Sequence, residues 1–163
     1  MKKGIILIIT LGLLAVFPLM ARAASAYSGS CGDGVTWKFD GRWTLTISGS
    51  GKMTENPWLK PYNSSIAKVV ICDGVESIAP HAFESCLFLT SVDIPDSVES
   101  IGTCAFKNCI QLKTIDLPDS ITSIESSAFY GCASLRKIVL PNSISFGNSP
   151  ASADSSIISA KMS

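Results

Sequence analysis

The sequence predicts an α/β repeat protein: a solenoid with a short parallel sheet and irregular or helical return arcs, covered at its N-terminal end by a β-hairpin. Three observations predict it. Phe83, Phe106 and Phe129 stand 23 residues apart, and Ala82/Ala105/Ala128, Cys86/Cys109/Cys132, Ile78/Ile101/Ile124 and Leu89/Leu112/Leu135 keep the same step. A fixed period of this size marks units that bury their apolar side only against their neighbours. Within each period a short strand-like segment such as Leu89–Ile94 ends at a proline (Pro95, Pro118, Pro141), which lacks the N–H needed to continue a ladder. Upstream, two alternating segments flank Asp40-Gly41, a pair that tolerates the positive φ of a tight hairpin turn.

Residues 1–23 read as a signal peptide. Lys2 and Lys3 precede a largely apolar run from Ile5 to Phe17, and Ala21-Arg22-Ala23 and Ala24-Ser25-Ala26 offer cleavage after Ala23 or Ala26. The run is shorter than the ~18–20 apolar residues a span needs, so cleavage is expected rather than a retained anchor, and membrane contact only through this segment. The chain carries 13 basic and 13 acidic residues; removing Lys2, Lys3 and Arg22 leaves 10 basic, a net charge of about −3. No basic stripe is present to neutralise phosphates, which argues against nucleic acid as a partner. The remaining ~140 residues suit one domain.

Residues 24–34, with Gly29, Gly32 and Gly34, read as a flexible lead-in. Residues 35–65 supply the hairpin cap and a loop. Val35, Trp37 and Phe39 share one side of the first strand, and Trp43, Leu45 and Ile47 one side of the second. Gly49-Ser50-Gly51 ends that strand, and residues 52–65 form a loop around Pro57, Trp58 and Pro61. Residues 66–146 are the 23-residue repeats: a strand, a proline, an Asp-Ser or Asn-Ser turn, and a return arc such as the one carrying Val98, Ile101, Ala105, Phe106 and Cys109. Strands of adjacent coils are expected ~4.8 Å apart. Continuing the step calls for an apolar residue at 147, Ala-Phe at 151–152 and Cys at 155, where the chain has Gly147, Ala151, Ser152 and Ser155. Residues 147–163 therefore read as a disordered or degenerate tail, leaving the last coil poorly covered.

The repeated pattern Leu-x-x-Val/Ile-x-Ile/Leu-Pro-Asp/Asn-Ser-Val/Ile-x-x-Ile-x-x-x-Ala-Phe-x-x-Cys resembles the BspA-like leucine-rich repeats of secreted and cell-surface proteins. Leu89–Cys109 and Leu112–Cys132 match it position by position; Ile66–Cys86 matches with Cys72 in place of proline and Asp73-Gly74 in the turn. The resemblance covers about residues 66–144. Cys31–Trp37 followed by Leu45–Gly51 also looks like the lead-in region found before such arrays. The resemblance implies a leucine-rich-repeat solenoid that is secreted or held at the cell surface, working in adhesion or host contact without a shared enzymatic activity.

On each repeat strand the residues flanking the central apolar one point away from the core. These are Lys68/Val70, Ser91/Asp93, Thr114/Asp116 and Lys137/Val139. They form either a recognition strip for a protein or glycan ligand, acidic in the middle and basic at both ends, or a solvated sheet face with no ligand. Asp93 and Asp116 fall in adjacent coils, a spacing that would let two carboxylates hold a hard cation or act as a glycosidase pair; two surface acids facing water is the simpler expectation, and no metal or cofactor is expected. His81 is the lone histidine, so any Ser-His-Asp or Cys-His site must use it; its register partners Cys104 and Ser127 mark a variable arc position. Cys86, Cys109 and Cys132 repeat at one inward position and are expected as a buried thiol ladder, because ~4.8 Å between coils is wider than the ~3.5–4.5 Å between the Cβ atoms of a disulfide. Cys31, Cys72 and Cys104 break the pattern, and a Cys31–Cys72 bridge could tie the cap to the first coil. Asn63-Ser64-Ser65 is a glycosylation sequon, meaningful in a eukaryotic host. Two rival functions stand beside binding: assembly through the exposed C-terminal coil, and carbohydrate hydrolysis using Asp93 and Asp116.

Overall fold

The computed structural model describes residues 27–141 and 144–146; the expected signal peptide and the tail at 147–163 lie outside the described residues. The elements in chain order are β1 (Ser28–Gly32), β2 (Val35–Phe39), β3 (Thr44–Gly49), β4 (Gly51–Lys52), α1 (Leu59–Tyr62), β5 (Lys68–Ile71), β6 (Val75–Ile78), β7 (Ser91–Asp93), β8 (Ser100–Ile101), β9 (Thr114–Asp116), β10 (Ser123–Ile124), β11 (Lys137–Val139) and β12 (Ser145–Phe146). They build a β-solenoid with two stacks of short strands. One runs β1-β2-β3-β5-β7 and continues beside β7 as the ladder β9-β11; the other runs β4-β6-β8-β10-β12. Between them lies a core of alternating inward residues, among them Val69, Ile78, Leu89, Ile101, Leu112 and Ile124, all buried.

The hairpin forms as expected. β2 and β3 pair antiparallel from Val35↔Gly49 to Phe39↔Leu45. The Asp40 carboxylate fixes the turn, its Oδ1 accepting the backbone N–H groups of Arg42, Trp43 and Thr44 at 2.7, 2.9 and 3.0 Å. Residues 28–32, read from the sequence as part of a flexible lead-in, instead form β1, antiparallel to β2. Cys31 is buried there, and Gly32 lies so close to Lys52 that an added Cβ would sit 2.1 Å from its carbonyl oxygen. Small residues are needed because backbone packs on backbone, which composition alone reads as flexibility.

β3 also pairs parallel with β5, Leu45 on Val69 and Ile47 on Ile71. One strand therefore serves both as hairpin and as the first rung. Gly49 turns it toward β4 at φ +116°, where an added Cβ would meet the Gly34 carbonyl oxygen at 2.0 Å. The segment expected as a loop around Trp58 completes this first coil. Trp58 is fully buried, donates its indole N–H to the Ala82 carbonyl at 2.8 Å, and stacks on Phe83 with ring centroids 5.9 Å apart. The column continues from Phe83 to Phe106 at 5.2 Å and from Phe106 to Phe129 at 5.3 Å. Trp58 lies 25 residues before Phe83, off the 23-residue step, and so falls outside the periodic signal.

The return arcs are turns and short strands; the one helix among the described residues, α1, lies in the first coil. Alternate arc N–H groups bond to the next coil: His81 to Thr103, Phe83 to Ala105 and Ser85 to Lys107, then Cys104 to Ser126, Phe106 to Ala128 and Asn108 to Tyr130, all at 2.7–3.1 Å. The intervening groups close local turns, as in Ala82 to Ala79 and Cys86 to Phe83. Each arc has left-handed residues at two fixed places, His81/Cys104/Ser127 and Ser85/Asn108/Gly131. At its far end β12 pairs Phe146 with Ile124. Position 147 was the expected partner, so this coil is one residue shorter than its predecessors.

If the ring column joins the coils, Phe106→Ala should cost about 3–5 kcal/mol. Trp58→Ala should cost a comparable amount although it lies outside the periodic repeats. Urea unfolding followed by far-UV circular dichroism measures both; a Trp58 variant as stable as the parent would show that the first coil is not coupled to the rest.

Candidate functional site

β5, β7, β9 and β11 carry the eight outward residues. The strand registers place Lys68 opposite Ser91 and Val70 opposite Asp93, then Thr114 opposite Lys137 and Asp116 opposite Val139. The inward alternates Val69, Val92, Ile115 and Ile138 are buried, so period-two alternation fixes which side faces out. Val70 and Ser91 are half-buried and the other six exposed. Lys68 reaches diagonally to Asp93, Nζ to Oδ2 2.8 Å. The ladder is interrupted between β7 and β9, which separates Asp93 from Asp116 as a register pair.

The same face extends further than the repeats. Thr44 and Thr46 of β3 stand opposite Lys68 and Val70, Lys38 of β2 stands opposite Thr46, and Thr36 bonds across to Ser48. Sequence reading missed these, although Thr36, Lys38, Thr44 and Thr46 alternate with the apolar residues assigned inward; the signal was there once β3 is taken as a rung. Trp43, assigned inward with Leu45 and Ile47, is instead 64% exposed. It belongs to the Asp40-fixed turn, where strand alternation has not begun.

His81 projects from the arc, its Nδ1 2.6 Å from Glu84 Oε2, while Lys107 of the next coil holds Glu84 Oε1 at 3.0 Å. The hydrogen bond to His81, then Lys107, outweighs burial and holds the Glu84 carboxyl below its ordinary value. His81 thus occupies a left-handed turn position and bridges two coils. The ring is placed by its hydrogen bond to Glu84, which Lys107 holds from the next coil.

All six cysteines are free thiols, so the Cys31–Cys72 bridge does not form. Cys31 lies under β4, its carbonyl accepting Thr54 and Glu55 N–H, whereas Cys72 follows β5 and donates its N–H to Ile47. The expected thiol ladder is present and does more than fill space: Cys109 Sγ donates to the Phe83 carbonyl and Cys132 Sγ to the Phe106 carbonyl, each at 3.1 Å. Burial pushes Cys86 up to about 12, and a hydrogen bond with Cys132 together with burial raises Cys109 as well. Among the described residues no group of three or more His, Cys, Asp or Glu could hold a metal ion, and no helix is long and apolar enough to cross a membrane.

Stacked parallel strands, fixed turns and an inward Phe-Cys column define a leucine-rich-repeat solenoid. The model of the BspA-type leucine-rich repeat region matches residues 62–163, more than half of the chain, and the chain belongs to that family. A leucine-rich repeat protein from Eubacterium ventriosum is similar at 26% identity and TM-score 0.58, over 73% of this chain and 39% of that one. A T. pallidum leucine-rich repeat protein is similar at 25% identity and TM-score 0.56, over 68% of this chain and 59% of that one. The chain thus spans less than two thirds of either solved relative. No curated protein matches it.

Two predictions follow from the charge and thiol geometry. Glu84→Gln should lower stability by about 0.5–1 kcal/mol at pH 7. The Glu84 carboxyl is depressed in the fold, so its contribution is complete above its ordinary 4.5 and disappears as pH falls through the lowered value. Urea melts at pH 7 and pH 3 should show a gap that narrows at the lower pH; an unchanged gap would point to another cause. In native protein an aromatic disulfide reagent should react within minutes at Cys72 and Cys104, leaving Cys31, Cys86, Cys109 and Cys132 blocked until denaturant is added. Rapid reaction at all six would contradict the buried ladder.

Proposed function

We propose that this chain is a binding or adhesion module, non-enzymatic, secreted or displayed at a cell surface, which contacts a protein or glycan partner through the outward strand face. The observation that supports it most is the shared side of two paired ladders: Lys68, Val70, Ser91 and Asp93 on β5–β7 and Thr114, Asp116, Lys137 and Val139 on β9–β11 alternate with buried residues, with Thr44 and Thr46 extending the first. A flat, rigid, partly charged sheet suits recognition, because orientation is set by the fold before the partner arrives. Membership of a repeat family supports the same reading. Hydrolysis finds less support. Asp93 is engaged by Lys68 and more than half exposed, whereas a catalytic acid pair works in a site from which water is excluded.

Assembly through the C-terminal coil is the second reading, favoured by β11 and β12 standing last in their stacks among the described residues. Size-exclusion chromatography with light scattering checks it, since a strict monomer at all concentrations would count against assembly. For the leading reading, the purified mature protein should bind selected members of a glycan and matrix-protein array. Charge reversal at Lys68, Asp93, Asp116 and Lys137 together should weaken that binding at least tenfold. Binding that survives the reversal would remove this face from the account.

A further inference from the structure

A second surface runs along the edge where the strands begin. Trp43, Ala67 and Thr90 stand on successive rungs, joined by N–H to O bonds from Ala67 to Trp43 and from Thr90 to Ala67, both 2.9 Å. Lys113 and Arg136 carry the same edge onward, with Arg136 N–H to Lys113 O at 2.9 Å. Four rungs separate Trp43 from Arg136, a span of ~19 Å at ~4.8 Å per rung. Beside this row, at the corner where arc becomes strand, Leu87, Phe88 and Ile110 are exposed, with Phe88 at 49% and Trp43 at 64%. Leu87 and Ile110 hold one register position, so their side chains form a short apolar band along the solenoid.

The charge distribution across the coil is one-sided. Residues 64–67, 87–90, 110–113 and 133–136, which make the entry edge of the repeat coils, contain no carboxylate; the acid beside Trp43 is Asp40, whose Oδ1 accepts the N–H groups of the turn, next to Arg42. At the exit of the strands Asp73, Asp96 and Asp119 stand exposed in register, beyond Asp93 and Asp116. An anionic partner is therefore drawn to one edge and repelled from the other.

We infer that the entry edge is an interaction surface for an acidic segment of a partner protein, which lays apolar side chains on Trp43, Leu87, Phe88 and Ile110 and places carboxylates at Lys113 and Arg136. Aromatic residues and arginine are the side chains most often anchoring protein interfaces. The aliphatic pair Leu87 and Ile110 favours hydrocarbon from a polypeptide over the hydroxyl-covered surface of a sugar. Exposed apolar side chains along one edge, with cations on the same edge, are what a partner would cover. The surface is distinct from the outward strand face, and the residues tested differ.

The test uses the full-length mature chain and fluorescein-labelled octapeptides. An extended octapeptide reaches ~26 Å, enough to span the edge. The probes are Leu-Leu-Phe-Gly-Ser-Glu-Asp-Glu and its reversed order, with one control in which lysine replaces the acids and one in which serine replaces the apolar residues. Fluorescence anisotropy should show at least one acidic–apolar peptide binding tenfold or more tightly than both controls, and more weakly as salt rises. Lys113→Glu with Arg136→Glu should abolish that preference, and Trp43→Ser or Phe88→Ser should weaken binding at least fivefold. Asp93→Lys with Asp116→Lys, on the outward face, should leave it intact. All these positions are exposed, and circular dichroism spectra matching the parent confirm that each variant folds. Equal binding of the lysine control, no binding of either acidic peptide, binding of heparin in place of the peptides, or loss only with the outward-face variant would each overturn the inference.

Discussion

Every feature of this molecule depends on adjacent coils lying directly over one another at the spacing of a parallel β-ladder. A single coil has two apolar faces and cannot hide both. Stacking hides them together, and the same stacking lets backbone N–H groups on strand and arc find carbonyls on the next rung. The ring column from Trp58 to Phe129 is the side-chain record of that geometry, with each centroid 5.2–5.9 Å from the next.

Several local choices serve the same constraint. The Ser of the Asp-Ser turn is not merely a turn former: Ser97 donates its hydroxyl to the Val75 carbonyl and Ser120 to the Val98 carbonyl, so each turn is tied to the coil before it. Cys109 and Cys132 give the Phe83 and Phe106 carbonyls, each already accepting one turn N–H, a second donor from the neighbouring coil. The two left-handed positions in each arc let the chain reverse within a few residues, at a steric cost that the packed neighbours offset. Agreement among turn, hydrogen bond and packing at one register is what makes the repeat specify a single structure.

The repeat architecture was legible because three near-identical units announce themselves through spacing alone. The face was legible too, since alternation around Val92 and Ile115 decides what points outward. What remained hidden lay where periodicity fails. Trp58 sits two residues off the step, so its place in the column cannot be found by counting. β1 is built from glycine and serine because backbones meet there, and those residues look like a linker. Trp43 follows an alternation that the Asp40 carboxylate interrupts. The shortened last coil likewise follows backbone pairing, Phe146 with Ile124, against the step.

These details also bear on the proposed recognition surfaces. A solenoid of this kind presents equivalent positions in rows, one from each coil. The outward face and the entry edge are such rows, held rigid by the column behind them. That column is tested most directly by proton exchange in solution NMR, comparing the Trp58 indole N–H with the backbone amides of Phe83 and Phe106. The account predicts that all three are strongly protected and are released together when denaturant is raised below the unfolding midpoint. A Trp58 indole exchanging freely while Phe106 stays protected would show that the first coil is not part of the stack.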